Sequence, residues 1–117
     1  GSREDHIVPV TAAYASTQVL PGKKRFVMGA SGHIAGVINP PAKGKRSHWI
    51  REDGKFPSTL DQWLDGATEH PGSWWTDWSG WLKSHAGKQI AAPKAYGKGT
   101  KFKAIEPAPG RYVKQKA

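Results

Sequence analysis

Apolar and polar positions along the chain mark out only a few regular elements. Thr11-Ala-Ala-Tyr-Ala-Ser-Thr-Gln-Val-Leu20 predicts a helix, with Thr11 as its N-cap and Pro21-Gly22 as its stop. Arg25-Phe-Val-Met28 is the one convincing strand, ended by Gly29. Ser58-Thr-Leu-Asp61 fits a capping box for a short helix holding Trp63 and Leu64, weakened by Gly66. Ser73 then caps a third helix. Its Trp74, Trp75, Trp78, Trp81 and Leu82 recur at helical spacing and make one apolar face, which Gly87 closes. Between these elements lie a small-residue loop, residues 29–36, and a polar basic loop, Asn39 to Ser47. Small residues let a backbone turn tightly and approach a ligand closely.

The order of loop, helix, strand, loop and helix predicts an α/β fold seen only in part. One isolated strand cannot make a sheet. Its partner strands are expected upstream of residue 1. Two regions follow: residues 1–87 as part of a catalytic-type α/β domain, and residues 88–117 as an extended tail. Gly, Pro, Lys and Ala dominate that tail, with Tyr96, Phe102, Ile105, Tyr112 and Val113 as its anchors.

Composition supports an incomplete domain. Leu, Ile, Val and Phe make up 19 of 117 residues, so little aliphatic core is available. Six tryptophans pull the other way, since each buries roughly 150–250 Å². Poor independent folding is the expectation. Residues 1 and 2 are given no weight, because Gly-Ser is a common cloning remnant.

The net charge of +9 is uneven: +2 over residues 1–42, −1 over 43–82 and +8 over 83–117. Lys94, Lys98, Lys101 and Lys103, with Tyr96 and Phe102, could contact phosphates and stack bases. No nucleic-acid fold motif accompanies them, so a solvated basic tail is favoured over nucleic-acid binding. No apolar run approaches a membrane span and no signal-peptide pattern is present, which points to a cytoplasmic protein.

Candidate chemistry rests on two residues. Asp5 lies in Arg3-Glu-Asp-His-Ile-Val-Pro9, just before the first helix. His33 lies in Gly29-Ala-Ser-Gly-His-Ile-Ala-Gly36, just after the strand. In a parallel α/β sheet both loops emerge at the carboxyl ends of neighbouring strands, where ligands bind. Asp before a helix and His after the next strand is the order in which α/β-hydrolases present the last two triad members. The competing reading is a helix-capping Asp and a surface-loop His. No nucleophile accompanies the pair: there is no G-x-S-x-G and no cysteine. The five histidines, His6, His33, His48, His70 and His85, show no metal-ligand spacing, and no metal is expected. The tryptophan face reads first as core or interface packing.

Several of these segments together resemble the class I poly(3-hydroxyalkanoate) synthases. They are Arg3–Pro9, the run from Gly29 to Lys43, Lys45-Arg-Ser-His-Trp49, Gly72-Ser-Trp-Trp-Thr-Asp-Trp78 and Ile105-Glu-Pro-Ala-Pro-Gly-Arg-Tyr-Val113. They occur in family order and cover nearly the whole chain from Arg3, at the C-terminal end of the family's catalytic domain. The resemblance implies an α/β-hydrolase-like fold and the polymerisation of 3-hydroxyacyl-CoA, such as 3-hydroxybutyryl-CoA, with release of coenzyme A. It implies His33 as the catalytic histidine and Asp5 as the catalytic aspartate, with His6 as a weaker candidate for substrate contact. It implies no cofactor besides the thioester substrate. The implied partners are the growing polyester, a second copy in a homodimer, and the granule surface. Val10 departs from the family pattern, which has Trp there. The family's catalytic cysteine lies upstream of this stretch, so the chain alone is expected to be inactive. The alternative is a binding module whose basic tail and tryptophan face dock on an anionic partner, a granule or a partner subunit.

Overall fold

A computed structural model describes residues 1–116. Ala117 and the side chain of Lys98 lie outside the described residues, and with them the Lys98 part of the expected basic surface. The chain divides into two units, Gly1–Ala86 and Gly87–Ala117.

Aromatic packing organises the first unit. Helix α1 (Val10–Val19) buries Tyr14 and Thr17, three residues apart on one face. Tyr14 meets Met28 of strand β1 (Val27–Gly29) and Leu60 and Trp63 of helix α2 (Leu60–Asp65) in one buried cluster. Phe26 stands edge-on to both Tyr14 and Trp63, with centroids at 5.1 and 5.0 Å. Edge-to-face contacts set a ring's positive rim against its neighbour's negative face. The Tyr14 hydroxyl donates to the Pro57 carbonyl at 2.7 Å, which satisfies its polar end. Val10 packs half-buried against this cluster.

The helix boundaries differ from the sequence expectation for local reasons. Thr11 lies inside α1, and Pro9 is the N-cap. Its carbonyl accepts from the Ala12 and Ala13 N–H groups, so no side-chain cap is used. Helix α2 is capped by Thr59, whose hydroxyl accepts from the Gln62 N–H at 3.3 Å. Thr59-Leu-Asp-Gln62 is itself a capping-box pattern, one residue further along than Ser58–Asp61. Helix α3 (Trp75–His85) starts after Trp74, while the Ser73 hydroxyl accepts from the Trp75 N–H; the helix closes at Ala86 rather than Gly87.

The expectation of a single strand is wrong. Strand β1 pairs antiparallel with β2 (Ser47–Ile50), and β2 pairs antiparallel with β3 (Thr68–Pro71). Met28 faces Trp49 across the first ladder, and His48 faces His70 across the second. Both missed strands carry polar residues. In β2, His48 is buried, with Nδ1 hydrogen-bonded to the Gly72 carbonyl at 3.1 Å, so the imidazole occupies a core position without an orphaned donor there. Strand β3, Thr-Glu-His-Pro, is an outer strand, where polar side chains and a terminal proline are tolerated. The partners of β1 on this side therefore lie downstream within the chain.

The other side of β1 is different. Ser2 bridges Gly29 in parallel, with Gly29 N–H donating to the Gly1 carbonyl and Arg3 N–H to the Gly29 carbonyl, at 2.9 and 2.8 Å. Residues 1–3 and β1 thus run side by side in the same direction. Asp5 follows one and His33 follows the other.

The second unit is not simply extended. It holds a small hairpin of β4 (Gly97–Lys98) and β5 (Phe102–Lys103) and a 3-10 turn at Tyr112–Lys114. Its expected anchors, Tyr96, Phe102, Ile105, Tyr112 and Val113, are all exposed. No helix among the described residues is long and apolar enough to cross a membrane.

Candidate active site

Two loops leave the same end of the parallel pair, and their polar side chains meet. Asp5 Oδ2 lies 2.8 Å from His33 Nδ1. The other carboxylate oxygen, Oδ1, accepts the Ile7 and Val8 N–H groups, each at 2.9 Å. An Asp that folds its own downstream backbone around one oxygen is locally determined. Its remaining oxygen is then fixed in direction. The Asp5 side chain is 7% exposed and that of His33 is 41% exposed. The imidazole is therefore reachable while the carboxylate is shielded.

The electrostatics follow from those contacts. The Val8 N–H does most to hold the Asp5 carboxyl at about 2, below its ordinary 3.8. Burial opposes it, and the His33 hydrogen bond and the Ile7 N–H add to the lowering. Near neutral pH Asp5 is a carboxylate and can only accept. His33 Nδ1 must then carry the hydrogen. Nε2 is left as the basic nitrogen in the neutral ring. Among the described residues no hydrogen bond engages Nε2.

The His33 loop is tied down at several points. Ser31 takes a left-handed conformation, φ 77°, and its carbonyl accepts the Glu4 N–H at 3.1 Å. Such a conformation costs a non-glycine residue about 1–3 kcal/mol and persists only where its surroundings enforce it. The segment past His33 forms a helical turn, with Gly36 N–H on the Gly32 carbonyl and Ile38 N–H on the Ile34 carbonyl. The Val37 carbonyl then accepts two indole N–H groups, from Trp74 at 3.1 Å and Trp75 at 2.9 Å. Sequence reasoning placed these tryptophans on an apolar face and missed their role as donors. The adjacency Trp74-Trp75 at a helix start was the only available signal.

The other candidates are placed elsewhere. His6 is exposed and makes no side-chain hydrogen bond among the described residues, so it does not join the Asp5–His33 pair. His48 and His70 stack at 5.5 Å between centroids, a contact that only the β2–β3 register brings about. Trp78, Trp81 and Leu82 of α3 stay 40–44% exposed. They do not build a core. With Val27, Gly29 and Val37, the tryptophans line a groove of about 300 Å³ that includes neither Asp5 nor His33. Arg25 on its rim donates from Nε to Asp77 of α3 at 2.8 Å.

No family model matches the chain. Curated relatives do. The chain is 66% identical over all 117 residues to the poly(3-hydroxyalkanoate) polymerase subunit PhaC of Cupriavidus necator, covering 19% of that protein. It is 43% identical over 115 residues, 98% of the chain, to the subunit of the same name from Rhizobium etli, covering 18% of it. It is 37% identical over 112 residues, 96% of the chain, to poly(3-hydroxyalkanoate) polymerase 1 of Ectopseudomonas oleovorans, covering 20% of it. The first match takes in residues 1 and 2, so Ser2 belongs to the related stretch. The chain is homologous from end to end with one stretch of the poly(3-hydroxyalkanoate) polymerases and spans about a fifth of their length.

Proposed function

We infer that this relative of one stretch of the poly(3-hydroxyalkanoate) polymerases supplies the Asp–His half of a Cys–His–Asp triad. The whole enzyme would convert a 3-hydroxyacyl coenzyme A thioester into polyester. The observation that carries the reading is the 2.8 Å contact between Asp5 Oδ2 and His33 Nδ1, with Nε2 reachable. The parallel run of residues 1–3 beside β1, with Asp5 after one and His33 after the other, supports an α/β-hydrolase-like setting.

The chemistry follows from the tautomer. A cysteine thiol on another stretch of the enzyme gives its proton to His33 Nε2. The thiolate attacks the thioester carbonyl and forms a new carbon–sulfur bond. The bond to coenzyme A breaks, and the departing sulfur takes the proton from Nε2. In the next step the 3-hydroxyl gives its proton to Nε2. Its oxygen attacks a waiting thioester, an ester forms, and the released thiol recovers the proton. Asp5 stabilises the imidazolium in both steps and stays ionised. The chain has no cysteine, so it performs neither step alone. His6 is the weaker candidate for substrate contact. The enzyme would work in the cytoplasm at polyester granules, as a homodimer. The test is a chimera: the Cupriavidus necator polymerase with its matching stretch replaced by this chain. His33→Ala in it should abolish coenzyme A release from 3-hydroxybutyryl-CoA, and unchanged release would refute the assignment.

A second reading rests on the exposed Trp78, Trp81 and Leu82. It makes α3 a docking face for a partner subunit or granule, with Asp5 and His33 as loop structure only. Chimeras with Trp78→Ala and Trp81→Ala that lose granule association, beside a fully active His33→Ala, would favour it.

A further inference from the structure

The two loops of the Asp5–His33 pair also meet where no side chain fits. Gly36 lies three residues after His33, and Ser2 three before Asp5. A Cβ on Gly36 would stand 2.5 Å from Ser2 Oγ, and 2.8 Å from both Ser2 Cβ and the Gly32 carbonyl oxygen. Carbon atoms do not approach that closely, so something must move. Ser2 cannot swing away, since it is 2% exposed and held by its bridge to Gly29. Gly29 is equally confined: a Cβ there would lie 2.9 Å from the Gly36 carbonyl oxygen. The Ser2 side chain therefore packs on the Gly36 backbone, and Gly29 packs on the Gly36 carbonyl, at the junction of the Asp5 strand, β1 and the His33 loop.

Gly32 makes the contrast. It precedes His33 directly, yet a Cβ there would meet only the Glu4 carbonyl oxygen, at an ordinary 3.6 Å. Neither Gly32 nor Gly36 takes a positive φ, so the difference between them is space. A Cβ on Gly36 would have to be relieved by a shift of the His33 loop relative to Ser2 and to its own turn at Gly32. The 2.8 Å hydrogen bond leaves little tolerance for that movement.

We propose that Gly36 is a positioning residue: its missing side chain lets Ser2 seat the His33 loop at hydrogen-bonding distance from Asp5. Its effect on turnover rests on the triad reading above; its effect on loop geometry does not.

The test uses the same chimeric polymerase. Gly36→Ala should lower kcat for coenzyme A release roughly 10²-fold, the scale of an ångström-sized misplacement of a catalytic group. KM for 3-hydroxybutyryl-CoA should stay within about 2-fold, because substrate binding is untouched. Gly32→Ala, nearer to His33 in sequence, should leave both parameters within about 2-fold. Adding Ser2→Gly to Gly36→Ala should restore part of the loss, at least ~3-fold in kcat, since it removes both Ser2 atoms and leaves only the contact with the Gly32 carbonyl. If Gly36→Ala alone misfolds, the double variant decides: a folded protein with recovered turnover supports the proposal. A double variant that stays inactive or unfolded overturns it. Equal kcat for Gly36→Ala and Gly32→Ala, beside a dead His33→Ala, would overturn this proposal and leave the triad reading standing. A fully active His33→Ala would instead remove the triad reading itself. The seating would then be judged by whether the imidazole N–H proton bound to Asp5 persists in Gly36→Ala; its persistence would overturn the proposal.

Discussion

Asp5 and His33 are 28 residues apart in the chain and 2.8 Å apart in space. One carboxylate oxygen is consumed by the Ile7 and Val8 N–H groups, and the other is aimed at Nδ1. Asp5→Asn would keep the shape, because its amide oxygen can still accept the two backbone donors. Its NH₂ would then face Nδ1 and force that nitrogen to accept, which protonates Nε2. The expected outcome in the chimeric polymerase is a kcat loss of about 10²–10⁴-fold, the usual worth of a general base. Steady-state coenzyme A release checks it, and a loss smaller than ~10-fold would speak against an orienting role for Asp5.

Acid should open this turn locally. The folded carboxyl sits at about 2, below its ordinary 3.8. A depressed carboxyl contributes stability above the unfolded value and loses it as pH falls through the folded one. The contribution is thus complete above about pH 4 and disappears towards pH 2. Asp53, paired with Arg51, titrates in the same range, so a global melt cannot separate the two. Hydrogen exchange at the Ile7 and Val8 amides can. Their protection should fall between pH 4 and 2, after correction for intrinsic exchange, and should not do so in Asp5→Asn.

The two indoles on the Val37 carbonyl form a redundant clamp. Trp74→Phe or Trp75→Phe keeps a ring and removes one N–H. The carbonyl remains satisfied by the other, so each single variant should stay within about 2-fold of full turnover. A net hydrogen bond is worth about 1 kcal/mol, which is about 5-fold in rate. The double variant should therefore fall by about 5-fold or more. Equal effects in single and double variants would show that the indoles do not share this load.

Much of the site was legible because it is local. Asp5 before a helix and His33 after a strand are sequence-near signals, and the loop order implied that they could meet. What stayed hidden depends on register. Strand β2 was missed because Ser47-His48-Trp49-Ile50 puts a polar imidazole at a buried position, and only the Gly72 carbonyl makes that tolerable. Strand β3 was missed because an outer strand has no need for apolar alternation. The tryptophan face was read from helical spacing alone. Spacing does not say that Trp74 and Trp75 turn their N–H groups to a loop 37 and 38 residues upstream.

Trp63 tests the frame that holds the site. It is 1% exposed and touches both Tyr14 and Phe26. Trp63→Ala should cost about 3–5 kcal/mol, as large aromatic truncations do. Urea unfolding of the chimeric polymerase, followed by circular dichroism, measures it. A loss under ~1 kcal/mol would place the core elsewhere.

The central claim is that this chain provides a working base to a nucleophile carried by another stretch of polymerase. The most direct measurement is coenzyme A release from 3-hydroxybutyryl-CoA by the chain alone, by the chain mixed with the separately produced upstream part of the Cupriavidus necator polymerase, and by that mixture carrying His33→Ala. The chain brings no thiol of its own. The account predicts release only in the unaltered mixture. Release that survives His33→Ala, or no release from a mixture whose parts demonstrably associate, would contradict it.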